Sequence, residues 1–126
     1  MLAQRITTSR IKEVRDVQII AQRGLCQLCG LPGVARDPVL DHCHTTGAVR
    51  GTLHRSCNSL LGKVENNAAR FGVKDLAAFL HGCAKYLQIH RTNITMMLHP
   101  THRTTDEKRI ARNKKAVTKR ATAKKA

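Results

Sequence analysis

Aromatic side chains are nearly missing from this chain. It has no tryptophan, and Phe71, Phe79 and Tyr86 are its aromatics. Single-strand RNA binders stack bases on such rings, so the shortage argues against a platform of that kind. Acidic residues are scarce too, eight against 23 lysines and arginines. No stretch approaches the ~20 consecutive apolar residues of a membrane span. Arg5, Arg10, Lys12, Glu13 and Arg15 interrupt the region where a signal peptide would need an apolar run. The basic stretches also lack the Trp/Phe/Leu face that an interfacial helix needs, so no membrane partner is expected. A cytoplasmic protein is expected, where thiols stay reduced. Five cysteines in that setting point to metal ligands or reactive thiols rather than a disulfide framework.

What is present is positive charge, +15 net over 126 residues. The last 27 residues hold ten of the basic side chains and two of the acidic ones, but every part of the chain is basic. The partner such a surface suits is a polyphosphate, and nucleic acid is the common one. The length allows one domain with a modest core plus a tail. A core of that size buries roughly 60–70% of the unfolded surface, so a metal staple would help it fold.

Residues 9–22 predict a helix, with Ser9 as cap and Ile11, Val14, Val17 and Ile20 or Ile19 at helical spacing. It is expected to pack on the core as an N-terminal element, residues 1–23. A Gly/Pro-rich loop follows. Residues 39–44 and 48–53 flank Thr45-Thr46-Gly47 and predict a β-hairpin, with Cys43 inside its first strand. Ser56 is the expected cap of a helix from Cys57, with Leu60, Leu61, Val64 and Ala68 on its apolar side. A further helix is expected from Lys74 to Leu87, striped by Leu76, Phe79, Leu80, Cys83 and Leu87. Residues 91–126 read as a basic tail that binds DNA. Thr105, Asp106 and Glu107 can start a helix there, but alone in water the tail should be largely disordered, for want of apolar surface to bury.

Cys26-x-x-Cys29-Gly30 is one half of a zinc knuckle. His54-x-x-Cys57 has the same spacing and lies just past the hairpin. Together they make a closed set of three cysteines and one histidine, which stabilises and leaves no position for catalysis. Cys43 could replace His54, but its spacing to Cys57 suits no knuckle. Cys83, on an apolar stripe, reads as a small core residue. His81, His90, His99 and His102 have no partner pair and read as bystanders, although His99-Pro-Thr-His102 has ligand-like spacing.

Asp41, His42, His44 and Asn58 are then left over. Asp41 and Asn58 offer oxygen ligands that suit Mg²⁺ or Mn²⁺. His42 can accept a proton from water. In a regular strand, however, Asp41 and His42 point to opposite faces, so one phosphate can be served only if the strand twists or bulges there, or if its edge meets the helix at Asn58.

LDHCHTTGAVRGTLHRSCNSLLG, preceded by Cys-x-x-Cys-Gly, resembles the recombination endonuclease VII family of tailed phages. The likeness is strong over residues 24–66 and looser beyond. It implies a small α+β fold, a zinc-stapled ββα-metal (His-Me finger, or HNH) core with flanking helices. The nuclease domain would span residues 24–90. It implies that Asp41 and Asn58 hold a catalytic Mg or Mn ion, that His42 activates water, and that His44 assists at the phosphate or leaving group. Glu65, seven residues after Asn58 and on nearly the same helix face, would support the metal through water. The expected function is a metal-dependent DNA endonuclease acting on branched DNA, as a Holliday junction resolvase does. A phage-encoded protein would work in the host cytoplasm. A homodimer would supply two coordinated cuts, with the stripe from Leu76 to Leu87 as interface or simply core. There are departures: His54 stands where the family usually has cysteine, and Cys43 where aspartate is frequent. The alternatives are a less selective nuclease on duplex or nicked DNA, and a non-catalytic zinc module that binds nucleic acid. An RNA-binding ribosomal-type zinc protein would leave the Asp41–His44 run unexplained.

Overall fold

The apolar runs on either side of Thr45-Thr46-Gly47 pair as an antiparallel hairpin, β1 (Pro38–His42) with β2 (Val49–His54). The structure is a computed structural model, and it describes residues 2–125. Two backbone hydrogen bonds close the turn, Cys43 N–H to Ala48 O and Gly47 N–H to Cys43 O, both 2.8 Å. Gly47 turns the chain at a φ of 74°, which a side chain would resist. Cys43 therefore belongs to the turn and not to the strand, because its backbone closes the loop instead of continuing the ladder. Pro38 faces His54, Val39 faces Leu53 and Leu40 faces Thr52, but His42 then faces Val49. Arg50 and Gly51 thus oppose the single residue Asp41, which is a β-bulge in β2.

A two-stranded hairpin is marginal in water and leaves unpaired backbone at its edges. Here helix α1 (Ile11–Ala21) covers one edge with side-chain amides one turn apart. Gln22, just past the helix, accepts from Thr52 N–H (2.9 Å) and donates to Thr52 O (2.8 Å), as a neighbouring strand would. Gln18 donates to Arg50 O and accepts from the Thr52 hydroxyl, both 2.9 Å. Thr52 is fully buried with its polar groups satisfied. The expected cap at Ser9 does not form. Ser9 lies inside a single 3₁₀ turn, Thr8–Arg10, and its hydroxyl is paired with that of Thr7.

Helix α2 (Arg55–Asn67) follows β2 with no loop. Its cap position is His54, so Ser56 falls in the first turn rather than before it. Val34, Leu53 and Cys26 are the buried apolar side chains among the described residues, with Ile19, Cys57 and Leu61 packed against them. Helix α3 (Leu76–Ile89) starts after Asp75, whose carboxylate accepts from Ala78 N–H at 3.0 Å. Phe79, Leu80 and Leu87 of its apolar stripe are exposed.

The chain forms two compact units, one ending at Leu80 and the other beginning at His81. The second contains α4 (Thr105–Lys125), a 21-residue helix with every described side chain exposed. The expectation of a largely disordered tail is corrected here. Thr104, one residue before the expected cap, forms a reciprocal capping box with Glu107: Glu107 N–H reaches Thr104 Oγ1 at 3.2 Å and Thr104 N–H reaches Glu107 Oε2 at 2.7 Å. Asp106 and Glu107 in the first turn and Lys124 and Lys125 in the last also suit the helix dipole. Among the described residues no helix is long and apolar enough to cross a membrane.

Candidate functional site

The loop before β1 brings Cys26 and Cys29 together on a tight turn. Cys26 N–H donates to Leu31 O and Gly30 N–H to Cys26 O, both 2.9 Å. The hairpin then delivers His54 at the end of β2, and the first turn of α2 delivers Cys57. The ligand atoms of Cys26, Cys29, His54 and Cys57 all lie within 4.8 Å of one another. Four donors around a tetrahedral zinc sit about 3.8 Å apart when bonds are near 2.3 Å, so this cluster needs little adjustment. His54 is oriented for the task. Its Nε2 lies 3.0 Å from Pro32 O, a group that can only accept, so Nε2 carries the proton and Nδ1 is free to ligate. Nδ1 lies 3.4 Å from Cys29 Sγ and 3.9 Å from Cys57 Sγ.

The thiols are already unequal. Burial alone would raise Cys26, but N–H groups of Cys29, His54 and Leu28 and the Cys29 side chain stabilise its thiolate and bring it down to about 6. Burial pushes Cys57 up to about 11, helped by hydrogen bonds with Cys29 and Cys26. Sulfur and imidazole donors in a closed tetrahedral set fit structural zinc, as the spacing predicts.

Near the start of β2, at the bulge, Arg50 meets two acids. Its Nε and Nη2 meet Asp41 Oδ2 and Oδ1 at 2.5 and 3.1 Å. Its Nη1 and Nη2 meet Glu65 Oε2 and Oε1 at 3.0 and 2.9 Å. Hydrogen bonds to Glu65 and then Asp41 hold the guanidinium above its ordinary range, so it stays charged. Arg50 in turn holds Glu65 below the usual carboxylate range. The Asp41 side chain is only 8% exposed, so this partner matters to it.

His42 is exposed and shares a strand face with Leu40, away from Asp41. The bulge lies in β2 opposite Asp41; it re-aims Arg50 and leaves Asp41 and His42 on opposite faces. The His42 and His44 rings stack, with centroids 4.9 Å apart. Each borders a different hollow. His42 lines a cavity of about 560 Å³ with Arg5, Ile6 and Thr46. His44 lines one of about 290 Å³ with Glu65 and Lys74. Asn58 is half-buried in the first part of α2. It shares a helix face with Glu65, two turns and about 10 Å further along.

Three contributors were not singled out from the sequence. Arg50 is the most important, and its signal was a lone charge followed by glycine within an otherwise apolar or small strand. Gln18 and Gln22, four apart, carried no distinctive signal. His81, His90, His99 and His102 join no metal-sized cluster among the described residues.

The family model described as recombination endonuclease VII matches residues 3–89. No curated protein matches the chain.

Proposed function

We propose, from the premise that this chain belongs to the recombination endonuclease VII family, that it is a metal-dependent DNA endonuclease of the His-Me finger type that cuts branched DNA. The family match carries this reading, because it spans the zinc cluster, the hairpin, α2 and α3 together. Asp41 and Asn58 would hold the catalytic Mg²⁺ or Mn²⁺, with Glu65 supporting it from the helix face it shares with Asn58. When bound, such an ion offsets charge that develops on the scissile phosphate and the leaving 3′ oxygen. His42 lies on the strand face opposite Asp41, so in this reading the phosphate sits across the β1 edge toward Asn58, where the exposed His42 ring takes the proton from the attacking water. His44, stacked on it, assists at the phosphate or leaving group. The products are a 5′ phosphate and a 3′ hydroxyl.

Residues 24–90 form the nuclease region in this reading, and 91–126 the arm that follows the DNA backbone. The exposed basic helix α4 supports the second assignment, since each phosphate it neutralises releases counterions. A homodimer supplies the two cuts that a junction requires. Plasmid nicking with and without Mg²⁺, followed by cleavage of a four-way junction against its linear arms at matched salt, tests the reading. Equal rates on junction and arms would leave a less selective nuclease.

A second reading, a non-catalytic zinc protein that binds nucleic acid, is favoured by one observation: both Asp41 oxygens are engaged by Arg50. Inactivity across divalent metals in the nicking assay would select it.

A further inference from the structure

A carboxylate as buried as that of Asp41 is stabilised by a cation facing it. Arg50 fills that place, and the geometry of the pairing is unequal in a useful way. The backbone at the base of Arg50 is fixed, because Gln18 holds its carbonyl from α1 at 2.9 Å. The side chain is less confined, at 34% exposed. It also has a second hold, on Glu65, through Nη1 and Nη2, while Nε is spent on Asp41 alone. The guanidinium can therefore leave one acid without leaving the other.

Resting on the reading of Asp41 as a metal ligand, we propose that Arg50 is a built-in counter-ion which the divalent metal displaces from Asp41, while Glu65 keeps the freed guanidinium beside the site. Like charges on one carboxylate disfavour each other, so a dication and Arg50 compete for the two Asp41 oxygens. Before exchange, Arg50 keeps Asp41 in its rotamer at the bulge. After exchange, the Nε–H edge that faced Asp41 is unpartnered and stays within the site, where an anionic oxygen of the DNA is its natural acceptor. The protein alone then binds the metal less tightly than its ligands would allow, because the competent state is only a fraction of the population.

The test uses the zinc-loaded full chain without DNA. In the first arm, Mg²⁺ is titrated into ¹⁵N-labelled protein, and the Arg50 Nε–H resonance is followed beside the backbone amides of residues 40–42. Displacement moves both, and the Nε–H proton exchanges faster with water at saturation. Amide shifts with an unchanged Arg50 Nε–H signal would overturn the exchange while leaving Asp41 as a ligand. No amide shift at all would overturn the metal reading of Asp41 and the exchange with it. In the second arm, Mn²⁺ binding is read from the free-ion EPR signal in wild type, Arg50→Gln and Asp41→Asn. Arg50→Gln should bind Mn²⁺ roughly tenfold more tightly than wild type, and Asp41→Asn should lose that site. Equal or weaker binding by a folded Arg50→Gln protein overturns the proposal. If that variant does not fold, the first arm decides alone.

Discussion

Removing zinc should unfold the unit that ends at Leu80, and the reason lies in how little else holds it. Val34 and Leu53 are its fully or nearly fully buried aliphatic side chains. Each contributes about 2 kcal/mol on burial. Structural zinc in small domains contributes on the order of 10 kcal/mol or more at neutral pH. A domain of this size is stable by roughly 5–15 kcal/mol in total. Losing the ion therefore exceeds any reserve the apolar side chains provide. The perturbation is a strong chelator, with Cys57→Ser as its genetic counterpart. Zinc release is followed with a colorimetric dye, and folding by far-ultraviolet circular dichroism and a urea titration. The cooperative transition should vanish as zinc leaves. Part of the helical signal should persist, because α4 lies in the other unit and is held by its own capping box and dipole. A protein stripped of zinc that keeps its urea midpoint would refute the reasoning, and would mean that the hairpin and its glutamine edge pairing suffice alone.

Other consequences are open to measurement. His42→Ala should keep its zinc and its fold yet cleave about 10²–10⁴-fold more slowly, the usual share of a general base; single-turnover nicking checks this. Glu65 should titrate below its ordinary value of 4.5, because Arg50 stabilises its anion. Its contribution to stability is then present above pH 4.5 and is lost as pH falls through the lower folded value. A carboxyl-carbon NMR titration should show that midpoint rising in Arg50→Lys, and an unmoved midpoint would count against the fork. Deleting residues 105–126 removes the basic helix α4 and should weaken DNA binding and flatten its salt dependence, by about 0.9 in slope for each phosphate that is no longer neutralised. Binding isotherms at several salt concentrations give the answer, and an unchanged slope would take the arm out of the interface.

The zinc set was legible because metal geometry imposes a spacing. Two Cys/His-x-x-Cys pairs on either side of a hairpin bring three thiols and an imidazole within ligand reach of one another. The hairpin was legible from its turn and its apolar flanks. Helix starts were less so. Ser9 and Ser56 both look like caps, but one hydroxyl is taken by Thr7, and the other lies inside a helix that begins directly from the strand. The tail misled for a different reason. Low apolar content argues for disorder, yet Thr104 and Glu107 satisfy the first orphan N–H groups of α4 locally, with no packing required. Arg50 was hidden most deeply, since only the register slip opposite Asp41 turns a strand arginine onto two acids distant in sequence.

The two sites are not merely neighbours, because the same strand-to-helix junction belongs to both. His54 and Cys57 bracket the point where β2 becomes α2, so binding one ion between them fixes the rotation of the helix relative to the strand. Asn58 is the next residue, and Glu65 returns to its face after seven more. Each α-helical residue turns the chain by about 100°. A single insertion between Cys57 and Glu65 would swing Glu65 far from Arg50 and leave the guanidinium with Asp41 alone. Upstream, the bulge sets where along β2 Arg50 emerges, and Gln18 fastens its backbone. An ion in the cluster of Cys26, Cys29, His54 and Cys57 would thus set the angle of α2, the bulge sets the position of Arg50, and Arg50 is where the two settings meet. A closed ion with no open position would in this way decide which face of α2 meets Arg50.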